Sequence, residues 1–186
     1  MYEKTLENLA RALGKFEIPY MVMGGQAVLI YGEPRFTSDI DVTLGVGAED
    51  LKKLLSLCKK LGLKPMTKNP ESFVSETMVL PARDPSTGLR VDFIFSFTPY
   101  EREAIRRTKK VKMGRQMVHF ASPEDVILQK IFAGRPRDLE DVRGILLRGR
   151  RLDALYIARW LKEFDRTFPE RKFSNIFKKI RKENKA

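Results

Sequence analysis

The chain has 186 residues and a mass of 21.5 kDa, enough for about one domain with a substantial core, and its 42% hydrophobic residues exclude a disordered protein. One cysteine, Cys58, and one histidine, His119, exclude an internal disulfide and a zinc site of the Cys/His type, so any metal ion must be held by oxygen atoms. The net charge is +12, and because no apolar run approaches the roughly 18 residues of a membrane span, we expect a cytoplasmic protein.

Helices and strands are both predicted over the first two thirds of the chain. Apolar residues at helical spacing predict the helices, whereas compact apolar runs or strict alternation of polar and apolar residues predict the strands. In chain order the predicted elements are a helix over 3–14, a strand over 19–23, a helix over 26–31, a strand over 39–44, a helix over 49–61, and a pair of strands over 73–80 and 89–97 that are joined by the turn-forming residues 83–88.

Beyond residue 120 the pattern becomes helical. Ser122 is a typical N-cap and Pro123 suits the first position of a helix, which together predict a helix through Phe132. Further helices are predicted over 138–147, 152–164 and 170–182. We therefore expect an α+β fold, in which residues 1–120 form a core around a small mixed β-sheet and residues 121–186 form a helical region packed on that core.

The positive charge is concentrated in two segments. Residues 102–115 and residues 171–186 each hold seven basic residues and one acidic residue, whereas the two kinds of charge balance in the rest of the chain. A local excess of this kind indicates a polyanionic partner. The alternative, above all for the C-terminal segment, is that the lysines only keep helix ends and a frayed tail soluble.

Three aspartates lie on two of the predicted strands. Asp39 and Asp41 project from the same face of one strand because residues two apart on a strand point the same way, and Asp92 lies on a later strand. Adjacent carboxylates repel each other, and their burial is costly unless they share a divalent cation with oxygen ligands. If the two strands are neighbours, the three residues complete a metal site. The alternative for each aspartate is an ordinary solvated strand face.

Gly24 and Gly25 lie where a predicted strand runs into a helix. Backbone N–H groups at the start of a helix attract anions, and glycines leave the approach open. A Gly-Gly pair alone is usually only a turn. Here thirteen residues separate the pair from Asp39, which predicts a phosphate site one strand away from the metal site.

These motifs resemble those of the nucleotidyltransferases of the polymerase-beta-like superfamily. The resemblance is most specific to the AbiEii or MenT type, whose members include toxins of toxin–antitoxin pairs, and it spans roughly residues 20–146. The matching first block consists of Met23–Gly25, residues 26–32, residues 35–41, Val42 and Asp92. The second block runs from Ser122–Asp125 through Lys130, Ala133, Arg135, Arg137, Asp138 and Asp141.

The resemblance implies transfer of a nucleoside monophosphate from an NTP to an acceptor hydroxyl, with release of pyrophosphate. It implies that Asp39, Asp41 and Asp92 are catalytic and hold two Mg²⁺ ions, for which Mn²⁺ could substitute. Asp92 could bind only the metal that activates the acceptor, or it could accept the hydroxyl proton as general base.

The resemblance also implies a set of nucleotide contacts. Lys130, close to the apolar stripe of its helix, is expected to contact the phosphates and to be catalytic; the alternative is an ammonium group that only reaches solvent. The arginines could grip phosphate or tie down Asp138 and Asp141, and Asp141 could orient Lys130 or those arginines. The alternative for Arg35 is a role in a surface loop. The expected nucleotide-binding residues are Gly24, Gly25, Arg35, Ser38, Lys130, Arg135, Arg137 and Asp141.

RNA, including tRNA, is the expected acceptor because the two basic segments could follow a phosphate backbone, and a cognate antitoxin is a further expected partner. One alternative is nucleotidylation of a small hydroxylated molecule such as an aminoglycoside or lincosamide. Another is a catalytically silent domain that binds nucleic acid or an antitoxin. The three intact acids argue against a silent domain.

Other conspicuous residues are interpreted as structural. Cys58 lies on the apolar stripe of a helix and is expected in the core. Tyr156, Trp160 and Phe164 recur every four residues, which is typical of one buried helical face.

Overall fold

The computed structural model describes residues 2–34, 36–149 and 151–184; Arg35 of the predicted nucleotide site lies outside the described residues. The helices are α1 (Tyr2–Lys15), α2 (Gly24–Tyr31), α3 (Leu51–Leu61), α4 (Pro70–Thr77), α5 (Pro99–Arg106), α6 (Pro123–Ala133), α7 (Pro136–Leu147), α8 (Ala154–Thr167) and α9 (Phe173–Glu183), with a short 3₁₀ turn at Ala48–Asp50. The strands are β1 (Tyr20–Val22), β2 (Asp39–Leu44), β3 (Lys64–Pro65), β4 (Val79–Arg83), β5 (Arg90–Phe95), β6 (Lys109–Met113) and β7 (Gln116–Phe120).

The chain divides into two compact units. The first unit contains Met1–Gln26 and Phe36–Ala121, and the second contains Ala27–Arg35 and Ser122–Ala186. All seven strands belong to the first unit, and α6 to α9 belong to the second. The predicted α+β class, with a mixed sheet followed by helices, is confirmed.

The first unit is built on one mixed sheet with the strand order β3-β4-β5-β2-β1-β7-β6. The central strands β2 and β5 run parallel to each other, whereas β1 runs antiparallel to β2. Apolar side chains that alternate along β2 and β5, such as Val42, Val91 and Phe93, are completely buried. Each such side chain contributes roughly 1.5–3 kcal/mol on burial, so the core fixes which face of these strands is left for polar residues.

One predicted element is wrong. Residues 73–80 are predicted as a strand, but most of this segment belongs to helix α4, and the strand that follows is β4. The helix starts with Pro70 at its first position, and the Asn69 side chain accepts a hydrogen bond from the Ser72 backbone N–H at 3.1 Å. This N-cap and the proline outweigh the β-propensity of Phe73 and Val74. The hairpin of β6 and β7 is a further difference, since no strand was predicted over 109–113.

The prediction that Cys58 lies in the core is confirmed, whereas the face of Tyr156, Trp160 and Phe164 is buried only in part, because Trp160 and Phe164 are half-buried. Cys58 is buried, and burial raises the pKa of its thiol to about 12, so the thiol is unreactive at neutral pH. In the second unit Tyr156 is buried, and its hydroxyl donates to Asp125 Oδ1 at 2.7 Å. The Phe164 ring packs edge-on against Phe132, with 5.4 Å between ring centroids. None of the helices in the described ranges combines the length and the hydrophobicity needed to span a membrane.

Candidate active site

Three aspartates converge on one face of the central sheet in the first unit. Asp41 is directly opposite Asp92 in the parallel pairing of β2 with β5, and Asp39 lies two residues before Asp41 on the same face. Each of the three offers a carboxylate oxygen within 4.8 Å of the others, and all three residues are half-buried. The predicted proximity of Asp92 to Asp39 and Asp41 is therefore confirmed, and we call these residues the aspartate triad.

The strand pattern explains why the triad forms. Ile40 and Val42 on β2, and Val91 and Phe93 on β5, are completely buried. Because side chains alternate along a strand, this burial forces the intervening aspartates onto the opposite face. A shift of either strand by one residue would bury carboxylates in the apolar core, which makes the register strongly determined.

Gly24 lies directly against the triad. It follows β1, adopts a left-handed conformation with φ of +59°, and begins helix α2. A Cβ atom at this position would lie 1.8 Å from Asp41 Oδ2, so a side chain would displace the carboxylate. The Met23 backbone N–H donates to the Asp41 carbonyl at 2.8 Å and fixes the spacing. Only glycine fits here.

We expect Gly24→Ala to disturb the triad far more than the fold. The methyl group must push the Asp41 carboxylate away, and a displacement of about 1 Å at a reactive site can cost roughly a hundredfold in rate. Thermal unfolding should show only the cost of alanine in a left-handed conformation, about 1–2 kcal/mol. Mn²⁺ titration calorimetry and a nucleotide-transfer assay measure the effect on the site.

Gly88→Ala is the matched control for this substitution. Gly88 also has a positive φ, of +72°, but a Cβ there meets nothing within 4 Å. The Gly88→Ala variant should therefore show the same conformational strain as Gly24→Ala, but its Mn²⁺ affinity should equal that of the wild-type protein. Equal Mn²⁺ affinities for the two alanine variants would contradict the close approach of Gly24 to Asp41.

The side chains of Arg90 and Thr37 are among those that contact the triad. The Arg90 Nε–H donates to Asp92 Oδ1 at 2.7 Å, and the Thr37 hydroxyl lies 3.4 Å from Asp39 Oδ1. The hydrogen bond to Asp92 raises the pKa of the Arg90 guanidinium, and the charges of Asp92, Asp39 and Asp41 add to that increase against the opposing effect of burial. The hydroxyl of Tyr2 donates to the Thr37 carbonyl at 2.5 Å and holds the segment before β2.

Sequence reasoning missed Arg90, Thr37 and Tyr2. The alternation that places Asp92 on the polar face of β5 also places Arg90 there, so this neighbour could have been found. The contact of Tyr2 with Thr37 joins residues 35 positions apart, and no local pattern predicts it. Ser38, a predicted nucleotide contact, is exposed and comes directly before β2.

Four predicted residues of the second block form an ion-pair network in the second unit: Lys130, Arg135, Asp138 and Asp141. The Lys130 ammonium donates to Asp138 Oδ1 at 2.8 Å and lies 2.9 Å from Asp141 Oδ2. The Arg135 guanidinium donates to Asp138 Oδ2 at 2.6 Å. All except Arg135 are buried.

The ion pairs explain how the Asp138 carboxylate can stay charged although it is buried. Burial alone would raise the pKa of Asp138, but hydrogen bonds from Arg135 and Lys130 outweigh burial and lower it. Asp138 is the third residue of α7, whose first residue is Pro136. Beside the network, Arg137 and Asp141 line an open depression of about 490 Å³, together with Glu33, Pro136, Glu140 and Gly144.

Comparison with solved structures identifies the class of fold. Similar chains include an antigenic nucleotidyltransferase-like protein from Paracoccidioides brasiliensis, with a TM-score of 0.59, 17% identity and coverage of 95% of this chain and 91% of that one. The antibiotic-resistance factor ANT(2″)-Ia gives 0.62, 16% identity and coverage of 91% and 94%. The lincosamide antibiotic adenylyltransferase LnuA, bound to lincomycin, gives 0.53, 14% identity and coverage of 76% and 94%. The chain therefore has a nucleotidyltransferase fold.

The family model described as nucleotidyl transferase AbiEii toxin of type IV toxin–antitoxin systems matches residues 9–185. The chain belongs to this family and is a nucleotidyltransferase, as the motifs around Gly24, Asp39 and Asp92 indicated. None of the curated proteins compared with the chain matches it significantly.

Proposed function

We propose that the enzyme transfers a nucleoside monophosphate from an NTP to an acceptor hydroxyl, releases pyrophosphate, and requires a divalent metal ion held by the aspartate triad. The convergence of Asp39, Asp41 and Asp92 beside Gly24 is the observation that carries this proposal. The three carboxylates offer oxygens within 4.8 Å of one another. The backbone of Gly24 lies so close to Asp41 that no side chain fits between them.

The donor set fits Mg²⁺, and Mn²⁺ as its substitute. Hard divalent cations take carboxylate oxygens as ligands, and like charges this close are stable together when a cation is shared. A bound Mg²⁺ would supply positive charge for the triphosphate and Lewis-acid activation of the acceptor oxygen, and two ions fit the proposed transfer best. Asp39, Asp41 and Asp92 hold the metal from one rigid sheet face, so their geometry is set before substrate arrives.

The remaining residues act on the nucleotide. The backbone N–H groups of Gly24 and Gly25, at the start of α2, donate to phosphate oxygens, and the exposed Ser38 hydroxyl adds a further donor. In the second unit, the family resemblance supports nucleotide contacts by Lys130 and by the residues near it, which are Arg135, Arg137 and Asp141. The buried pairing of Lys130 with two carboxylates supports a role in which its ammonium is held in one fixed position.

We further propose that the acceptor is RNA, with tRNA as the first candidate, and that the enzyme acts as a toxin restrained by a cognate antitoxin. Family membership supports the toxin role. The basic segment 102–115 supports the RNA acceptor, because the side chains of Lys109, Lys110 and Lys112 are exposed on β6, the edge strand of the sheet. In the second basic segment, 171–186, Lys178 is also exposed, which further supports a polyanionic acceptor.

The hairpin that carries these lysines is held firmly. The backbone N–H of Gly114 donates to Glu3 Oε1 at 3.1 Å, and that of Arg115 donates to Glu7 Oε1 at 3.1 Å. Both acceptors lie on α1, so the turn between β6 and β7 is anchored to that helix. Lys110 and Lys112 lie on one face of β6 and Lys109 on the other, so this anchored edge strand presents cations on both faces, which supports binding to a phosphate backbone.

We expect the triple variant Lys109→Ala/Lys110→Ala/Lys112→Ala to bind tRNA more weakly and with a smaller salt dependence. Each lost phosphate contact reduces the slope of log K against log salt by about 0.7–0.9. Fluorescence anisotropy between about 50 and 200 mM salt measures the slope. The matched control removes three exposed lysines near the opposite edge of the sheet, Lys59, Lys64 and Lys68. If both triple variants change the slope equally, the hairpin is not the RNA-binding surface.

The acceptor is tested by incubating the protein with α-labelled NTPs, Mg²⁺ and one of two acceptor pools. Label in total tRNA supports the proposal. Label only in an added aminoglycoside or lincosamide would show that the acceptor is a small hydroxylated molecule and not RNA. RNA binding without label in either pool would indicate a catalytically silent domain.

A further inference from the structure

Arg90 lies beside the triad, and the proposed metal chemistry leaves its role unexplained. In the pairing of β2 with β5, Arg90 is directly opposite Asp39, and it lies two residues before Asp92 on the same face. The face that presents three carboxylates therefore also presents a guanidinium group. Its Nε–H donates to Asp92 Oδ1 at 2.7 Å.

We infer that Arg90 is a resident counterion of the triad, which occupies Asp92 until a divalent cation displaces it. The inference rests on the proposed metal site. It assigns Arg90 a role as a positioning residue, because the guanidinium acts on the reaction through Asp92.

The mutual repulsion of the carboxylates favours such a partner. Three carboxylates whose oxygens lie within 4.8 Å of one another repel each other strongly when no cation is near. Arg90 supplies one positive charge from within the same pair of strands. It thereby places one positive charge beside the three carboxylates, and its hydrogen bond holds the Asp92 carboxylate.

The same hydrogen bond makes Arg90 a competitor of the metal. A guanidinium bound to the Asp92 carboxylate opposes a divalent cation at the same carboxylate, because the two cations repel each other. The Arg90 side chain is 45% exposed, whereas that of Asp92 is 14% exposed, so the arginine is the partner with solvent to move into. Binding of the metal is then an exchange of cations at Asp92, and metal affinity is lower than the carboxylates alone would give.

We expect Arg90→Gln to bind Mn²⁺ about fivefold more tightly, the size expected on removing a half-exposed ion pair. The metal-free variant should have a lower Tm than the wild-type protein, because the triad loses its counterion, and saturating Mn²⁺ should remove that difference. Isothermal titration calorimetry of the full chain with Mn²⁺ alone and thermal unfolding with and without Mn²⁺ measure both effects. Arg90→Lys should restore most of the wild-type affinity, because it keeps the charge.

Arg83→Gln is the matched control. Arg83 is exposed and is the register partner of Arg90 on β4, so it carries the same charge on the same sheet face one strand farther from the triad. If Arg83→Gln changes the Mn²⁺ affinity as much as Arg90→Gln does, the effect is a general one of charge and the inference is overturned. Weaker or unchanged Mn²⁺ binding by Arg90→Gln would also overturn it, since Arg90 would then orient Asp92 without competing.

The inference and the proposed metal site fail in different ways. If wild-type protein binds no Mn²⁺, or if Asp39→Asn leaves the affinity unchanged, the metal site itself is wrong. If wild-type binding depends on Asp39 but Arg90→Gln binds Mn²⁺ no more tightly, only the role of Arg90 is wrong.

Discussion

Asp41→Asn is expected to reduce nucleotidyl transfer by at least about a thousandfold, since several kcal/mol of metal-dependent stabilisation are lost and each 1.36 kcal/mol is tenfold in rate. The substitution keeps the shape of the side chain that packs against Gly24 but removes one negative ligand of the triad. The fold should persist, because the substitution changes no buried apolar contact and reduces the repulsion with Asp39 and Asp92. Initial rates of label transfer and thermal unfolding measure the two effects.

Asp50→Asn provides the control for this substitution. Asp50 precedes α3, and its side chain makes no capping hydrogen bond to the helix, so its loss of charge should leave both activity and Tm unchanged. Transfer by Asp41→Asn within about tenfold of wild type would be too fast for a residue that holds the essential metal.

The second large effect is expected on stability. Lys130→Met should destabilise the protein by about 3–5 kcal/mol, because it leaves the carboxylates of Asp138 and Asp141 buried without their shared cation. Urea unfolding followed by circular dichroism measures the loss. Lys162→Met, which removes an exposed lysine from α8, should change stability by no more than about 0.5 kcal/mol.

A triple variant separates the ion-pair network from simple loss of packing. Lys130→Met/Asp138→Asn/Asp141→Asn removes the uncompensated charges together with the lysine, and most of the lost stability should return. Arg135 would keep a neutral hydrogen-bond partner at position 138. If the triple variant is as unstable as Lys130→Met alone, the unpaired carboxylates of Asp138 and Asp141 are not the cause of the destabilisation.

The polar face of the aspartate triad could be predicted from the sequence because it depends on a local rule. Alternation along Asp39–Leu44 and Arg90–Phe95 fixes which side chains share a face. Alternation cannot show that β5 lies beside β2, since 45 or more residues separate them and several sheet orders satisfy the same pattern. The resemblance to a known family supplied that step, and the parallel pairing confirms it.

The residues around the predicted site were harder to predict because their contacts are formed by tertiary structure. Lys130 was singled out as unusual on an apolar helix, but its partners lie on the next helix, and no periodicity shows which carboxylates turn inward. The strand predicted over 73–80 failed for a local reason: Phe73 and Val74 favour a strand, whereas Asn69 and Pro70 start a helix.

The central claim is that the triad supports transfer of a nucleoside monophosphate, and the position of the transferred phosphate tests it most directly. The protein is incubated with total tRNA and Mg²⁺ in two parallel reactions, one with NTPs labelled at the α-phosphate and one with NTPs labelled at the γ-phosphate. Our account predicts label in RNA from the α-phosphate only, with labelled pyrophosphate in the second reaction, and no transfer after EDTA or in Asp41→Asn. Label in RNA from the γ-phosphate, or α-label transfer that survives EDTA, would contradict the account.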